Sequence, residues 1–83
     1  MSSSGGSKIT IYIGSNCHLC EQAKGLIYPL IKERGMGLVE VNIENNANLK
    51  AEYGFRIPVI RTPDGREKGW PFTGAQISRM LGS

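Results

Sequence analysis

A strand, a long amphipathic helix and a second strand follow one another in the first half of the chain, and this order constrains the fold most. Lys8–Ile13 (KITIYI) has β-branched and aromatic residues on both faces, which predicts a central strand. From Cys17 to about Arg34, apolar residues recur at intervals of three and four, which predicts a helix that Gly35 ends. Leu38–Ile43 (LVEVNI) predicts the second strand. Because one helix joins the two strands, we expect a parallel pair with a right-handed crossover.

The predicted helix begins in a tight turn and buries one stripe of side chains. Gly14, Ser15 and Asn16 form the turn, with Asn16 as the candidate N-cap. The stripe that we expect to be buried consists of Leu19, Cys20, Ala23, Leu26, Ile27, Leu30 and Ile31.

The rest of the chain predicts a short helix, a hairpin and a last helix. Asn45–Tyr53 is the short helix, and a Pro-Asp-Gly turn joins strands at Ile57–Arg61 and Arg66–Gly69. A Thr-Gly-Ala-Gln sequence fits a capping box and starts a helix from about Gly74 to Leu81. The order β-α-β-α-β-β-α predicts an α/β fold, a four-stranded mixed sheet flanked by three helices.

Length and charge limit the function classes. The 83 residues suffice for one domain, which we expect at residues 8–83. Residues 1–7 (MSSSGGS) lack the features of a signal peptide and are expected to be a flexible tail or a remnant of cloning. No apolar stretch approaches the roughly 18 residues of a membrane span, so we expect a cytoplasmic protein. The net charge is +3, but the basic residues between Arg56 and Arg79 form no run, which disfavours a nucleic-acid partner.

The two cysteines, Cys17 and Cys20, stand where the long helix is predicted to begin. A bridge across so short a loop adds little stability, so the pair calls for a chemical role. The free N–H groups and partial positive charge of a helix N-terminus stabilise a thiolate. We therefore expect Cys17, in the first turn, to be the nucleophile, and Cys20, one turn further in, to resolve the mixed disulfide.

Zinc binding and haem attachment do not fit the ligand count and spacing of this motif. Structural zinc needs four ligands, whereas the chain has two cysteines and one histidine. Covalent haem attachment needs a histidine directly after the second cysteine, where Glu21 stands. Two inert buried thiols remain an alternative. His18, between the cysteines, either tunes the Cys17 thiolate or is a solvated residue of the first turn.

From Lys8 to Leu81 the sequence resembles the glutaredoxin and thioredoxin superfamily, and most closely its small glutaredoxin-like bacterial members. The resemblance rests on the strand before the Cys-X-X-Cys helix, on Tyr-Gly-X-X-Ile-Pro-Val at residues 53–59, and on the closing hairpin and helix. It implies a thioredoxin-like fold. It also implies that Pro58 is a cis-proline beside the cysteines, which leaves the main chain of Ile57 free to hold a peptide or glutathione.

The sequence departs from well-characterised glutaredoxins at two glutathione contacts. Those proteins commonly have a lysine three residues before the first cysteine, where this chain has Gly14. They also have an aspartate near the last helix, whereas residues 69–73 contain no carboxylate. Other candidates to bind a substrate carboxylate are Arg56, Arg61, Arg66 and Lys68.

The aromatic residues give one site candidate. Trp70 is either a substrate platform at the edge of the site or a core aromatic. The aromatic side chains that we expect to pack in the core or between helices are Tyr12, Tyr28, Tyr53 and Phe55.

We therefore expect a monomeric, glutaredoxin-like thiol–disulfide oxidoreductase with no metal and no tightly bound cofactor. Its substrate would be a disulfide in a protein or a small molecule, and its electron donor glutathione or a thioredoxin-type reductase. A different class of function is a non-enzymatic iron–sulfur carrier, in which Cys17 and glutathione hold a cluster between two chains. A pure interaction module with inert thiols is the last alternative.

Overall fold

The computed structural model describes residues 7–82, which contain four strands and three helices in the predicted order. The strands are β1 (Lys8–Ile13), β2 (Gly37–Asn42), β3 (Val59–Arg61) and β4 (Glu67–Gly69), and the helices are α1 (His18–Arg34), α2 (Ala47–Tyr53) and α3 (Gly74–Met80). A 3₁₀ turn at Ile43–Asn45 precedes α2. The predicted tail lies outside the described residues except for Ser7, whose carbonyl accepts a hydrogen bond from the Gly37 N–H (3.2 Å).

The sheet has the strand order β2-β1-β3-β4, so β1 is an interior strand as predicted. Strands β1 and β2 are parallel, and Ile13 stands opposite Asn42 at their common end. Strand β3 is antiparallel to β1, with Val59 opposite Tyr12. The residues that follow β1, those that follow β2 and those that precede β3 therefore meet at one edge of the sheet.

Side chains of β1 alternate between two hydrophobic clusters, one on each face of the sheet. Ile9 and Ile11 are fully buried beneath α1 and α3, and Tyr12 points to the opposite face, where α2 packs. The buried members of the first cluster are Ile9, Ile11, Ala23, Ile27, Ile31, Ile60, Phe72 and Ile77, and those of the second are Tyr12, Ile43, Tyr53 and Val59. The helices thus hold the sheet between them, with α1 and α3 on one side.

The structure confirms the predicted end of α1 and the predicted start of α3, but not the predicted N-cap of α1. Helix α1 ends at Gly35, whose φ of 68° lies in the left-handed region that glycine adopts freely. Helix α3 begins with the predicted capping box between Thr73 and Gln76. The N-cap of α1 is Cys17, not Asn16; the prediction is wrong because the Cys17 sulfur itself accepts the orphan N–H of Cys20.

The buried face of α1 is narrower than the predicted stripe. Its buried residues are Cys20, Ala23, Ile27 and Ile31, spaced by three and four positions. Leu19 is 44% exposed and lies on the border of that face. Over residues 7–82, no helix is both long and apolar enough to cross a bilayer.

Two of the four aromatic side chains expected to be buried are not. Tyr12 and Tyr53 are buried and stacked, with ring centroids 4.2 Å apart. Tyr28 is exposed, and its hydroxyl donates a hydrogen bond to Glu40, which joins α1 to β2 at the surface. Phe55 lies in the turn that follows α2 and is fully exposed.

Candidate active site

The two cysteines form a disulfide, and the fold treats their sulfurs differently. Cys17 is half-buried at the N-cap of α1, and its Sγ accepts a hydrogen bond from the Cys20 N–H (3.2 Å). Cys20 lies inside the first turn on the buried face and is 1% exposed. An external reactant can therefore approach the Cys17 sulfur but not the Cys20 sulfur. The helix N-terminus supplies the N–H groups that favour a thiolate at the accessible position.

An open depression of about 460 Å³ lies beside Cys17. It is lined by Gly14, Asn16, Cys17, His18 and Glu21. His18 is the exposed first residue of α1, within the wall of this depression. Its predicted tuning role stays a prediction.

Ile57 and Pro58 lie at the same edge of the sheet as the residues that lead to Cys17. The bond between them is cis, as the resemblance implied, and Pro58 is buried. Since Val59 pairs with Tyr12, the two preceding residues extend toward Gly14. A Cβ added to Gly14 would lie only 2.9 Å from Ile57 Cδ1, so the Ile57 side chain covers this glycine.

The main chain of Ile57 offers a substrate one group, not two. Its N–H donates to the Tyr53 carbonyl (3.1 Å), which also accepts from the Arg56 N–H (2.8 Å). Among the described residues, no backbone N–H donates to the Ile57 carbonyl. An extended substrate could therefore pair with that carbonyl while the turn at residues 53–57 stays intact.

Trp70 is tied to Pro58 through the backbone. Its N–H donates to the Pro58 carbonyl (2.9 Å), and the Trp70–Pro71 bond is also cis. The indole packs edge-on against Phe72, with centroids 5.1 Å apart, and borders the first hydrophobic cluster. The structure thus brings the predicted residues Pro58 and Trp70 together, while the role of Trp70 as a substrate platform stays a prediction.

Glu67 of strand β4 contacts two residues of the turn that precedes Pro58. The Tyr53 hydroxyl donates to Glu67 Oε2 (2.6 Å), and the Arg56 guanidinium lies over the Tyr53 ring and 3.8 Å from Glu67 Oε1. Two effects raise the pKa of Tyr53 well above its usual range: the hydrogen bond to Glu67 is the larger, and burial of the phenol is the second. Glu67 thereby holds both ends of the segment that leads into Ile57.

Glu44 is a residue of this region that the sequence analysis missed. Its Oε2 accepts the Ser15 N–H (3.0 Å) and would lie 3.4 Å from a Cβ at Gly14. The signal that could have found it is topological. Because β1 and β2 are parallel, the residues that follow each strand meet at one edge, which brings residue 44 to residues 14 and 15.

Two of the four cations predicted for a substrate carboxylate are engaged in other contacts, while the roles of Arg61 and Lys68 stay predictions. Arg56 points to Tyr53 and Glu67, and Arg66 pairs with Asp64 (2.9 Å) in the hairpin turn. Within the described part of the chain, no three His, Cys, Asp or Glu side chains are grouped to hold a metal ion.

The chain is similar to a known protein family and to several solved structures. The model of the glutaredoxin-like domain (DUF836) matches residues 8–82. The solved structure of the structural-genomics target protein XcR50 from X. campestris is 37% identical, with 88% of this chain and 93% of that chain covered and a TM-score of 0.78. Protein Ne2328 from Nitrosomonas europaea is 27% identical over 90% of this chain and 91% of its own, with a TM-score of 0.77.

A more distant structure extends the likeness of fold. Thioredoxin-2 of the malaria parasite is 13% identical over 90% of this chain and 80% of its own, with a TM-score of 0.69. At that identity the likeness concerns the fold alone, and the fold of this chain is thioredoxin-like. No match was found among the curated proteins.

Proposed function

Because the chain belongs to the glutaredoxin-like domain family (DUF836), we propose that it is a thiol–disulfide oxidoreductase with Cys17 as nucleophile and Cys20 as resolving cysteine. One observation supports this proposal most: the accessible sulfur stands at the N-cap of α1, and its disulfide partner is buried one turn behind it. A pair kept only for stability would not need one exposed sulfur at a thiolate-stabilising position.

The reaction begins with the reduced protein. The Cys17 thiolate attacks one sulfur of a substrate disulfide, and the first substrate thiolate leaves and takes up a proton. Cys20 then loses its proton and attacks the Cys17 sulfur, which breaks the mixed disulfide and releases the second substrate thiol. Two electrons have passed to the substrate, and the protein holds the disulfide between Cys17 and Cys20.

A donor must return two electrons to this disulfide, and we propose a thioredoxin-type reductase in a reducing cytoplasm. Gly14 in place of a lysine and the lack of a carboxylate in residues 69–73 remove two glutathione contacts, which supports a reductase over glutathione. Assays with each donor, run side by side on the same disulfide, decide between them. A brown dimer formed with iron, sulfide and glutathione under anaerobic conditions would instead support a cluster carrier.

Serine variants of the two cysteines test the mechanism. Cys17→Ser should abolish reduction of hydroxyethyl disulfide, because the buried Cys20 cannot be reached. Cys20→Ser should stop after the first step and accumulate a mixed disulfide on Cys17, which intact-protein mass spectrometry detects. Full activity of Cys17→Ser would refute the proposal.

A further inference from the structure

A carboxylate with no lysine or arginine partner among residues 7–82 lies beside the turn that leads into Cys17. Glu44 Oε2 accepts the Ser15 N–H (3.0 Å), and Ser15 precedes Cys17 by two residues. Consecutive Cα atoms are about 3.8 Å apart, so the Cα atoms of Ser15 and Cys17 are separated by less than about 8 Å. Within residues 7–82, no lysine or arginine forms an ion pair with Glu44.

Lys24 and Arg56 are engaged with carboxylates other than Glu44. Glu21 lines the depression, and its charge is matched by Lys24 (2.9 Å), which also contacts Glu40 (3.3 Å). Arg56 belongs to the loop before Ile57, but its guanidinium is engaged with Tyr53 and Glu67. Glu44 is therefore a carboxylate beside Gly14 and Ser15 whose charge no lysine or arginine of residues 7–82 pairs with.

The Glu44 carboxylate also lies close to Gly14. A Cβ at Gly14 would lie 3.4 Å from Glu44 Oε2, so a substrate carboxylate beside Gly14 would face another carboxylate. Like charges at such a distance repel, and a substrate ammonium group would be attracted instead.

We propose that Glu44 is a specificity-determining residue that makes Cys17 favour disulfides with positive charge and discriminate against anionic disulfides such as glutathione disulfide. This inference rests on the proposed oxidoreductase function and names its substrate class. In a protein substrate, the preferred disulfide is flanked by lysine or arginine.

The expected size follows from the charges involved. Two unit charges several ångströms apart at a protein surface, in moderate salt, change an association rate or affinity by about three- to tenfold. The effect must weaken as salt is added, because the Debye length falls from about 10 Å at 0.1 M to about 3 Å at 1 M.

The test is a single-turnover reaction of the pre-reduced protein with three small disulfides, so that no electron donor is needed. Cystamine has an ammonium group at each end, hydroxyethyl disulfide is neutral, and the carboxylates of glutathione disulfide outnumber its ammonium groups. In each reaction one disulfide becomes two thiols while the protein dithiol becomes a disulfide. The loss of protein thiols over time is measured by quenching samples with acid and alkylating the thiols that remain.

Glu44→Gln removes the charge and keeps an oxygen that can accept the Ser15 N–H. Each variant rate is divided by the wild-type rate for the same disulfide, which cancels the different leaving-group reactivities. The neutral disulfide reports any change in the reactivity of Cys17 itself. Relative to the neutral disulfide, Glu44→Gln should lower the rate of reaction with cystamine and raise the rate with glutathione disulfide, each by about three- to tenfold at low salt.

Glu33→Gln is the matched control. It removes one carboxylate from the last turn of α1, about 22 Å along the helix from His18, beyond the Debye length at 0.1 M salt. It should leave all three ratios near one. Equal ratios for the three disulfides in Glu44→Gln, with hydroxyethyl disulfide still reduced by the wild type, would overturn this inference alone. If the wild type reduces none of the three disulfides, the proposed function is overturned together with this inference.

Discussion

The hydrogen bond from the Tyr53 hydroxyl to Glu67 joins the end of α2 to β4, and Tyr53→Phe removes it without changing the buried ring. A hydrogen bond to a charged group contributes about 1.5–3 kcal/mol. The Glu67 side chain is 25% exposed, so water can replace part of the lost contact. We therefore expect the free energy of unfolding to fall by about 1–2 kcal/mol, and Tm by about 4–8 °C for each kcal/mol in a domain of this size.

The same bond makes stability depend on pH in a defined direction. The folded protein raises the pKa of Tyr53, chiefly because the neutral phenol donates to Glu67. In the unfolded chain the phenol titrates near its ordinary value of about 10. The stabilisation is therefore complete below about pH 10 and is lost as the pH rises through the folded-state pKa. Urea unfolding of wild type and Tyr53→Phe should give a constant difference from pH 7 to 9 that shrinks above about pH 10.

A double-mutant cycle with Glu67→Ala, which removes the acceptor, separates the Tyr53–Glu67 interaction from unrelated effects of each change. If Tyr53 and Glu67 act through their hydrogen bond, the two single changes should be non-additive by about 1 kcal/mol. The aromatic stack on Tyr12 is unchanged in every corner of the cycle, because phenylalanine retains the ring. Additivity within about 0.3 kcal/mol would refute the reasoning, as would a difference that does not change with pH.

Two further predictions concern the helices. Thr73→Ala removes the side chain that accepts the Gln76 N–H, so it should lower the free energy of unfolding by about 1 kcal/mol in urea titration, whereas Thr73→Ser should retain most of it. Ile27→Ala empties a fully buried position and should cost about 2–5 kcal/mol in the same assay. Leu19→Ala, on the same helix but 44% exposed, should cost less than about 0.5 kcal/mol, and similar losses for Ile27 and Leu19 would contradict the assigned buried face.

Features encoded by neighbouring residues could be predicted from the sequence. Gly35 ends α1 because a residue without a Cβ takes the left-handed conformation there. The Thr73 capping box needs only residues three positions apart. The placement of Cys17 and Cys20 at the start of a helix follows from the helical periodicity after β1. The family match supports the resemblance found from these same motifs.

Features decided by competition between neighbours or by distant contacts could not be predicted. Asn16 and Cys17 can both cap a helix, and only the backbone shows that Cys17 does so while Asn16 adopts a positive φ of 55°. Phe55 is an apolar aromatic residue of the kind found in cores, but it lies in the turn after α2, where it is fully exposed. Glu44 reaches Ser15 across 29 positions of sequence, which no local pattern reveals.

The departure at Gly14 is linked to Ile57 and Glu44 in space, although the three residues are far apart in sequence. Any side chain at position 14 would begin 2.9 Å from Ile57 Cδ1, so Ile57 would have to turn away from the cis-proline edge. A lysine at that position would also place its chain beside the Glu44 carboxylate, which lies 3.4 Å from the Cβ position. Its ammonium group would be within reach of an ion pair with Glu44. The absence of a lysine at position 14 is therefore linked to Ile57 and Glu44 and is not an isolated departure from the family pattern.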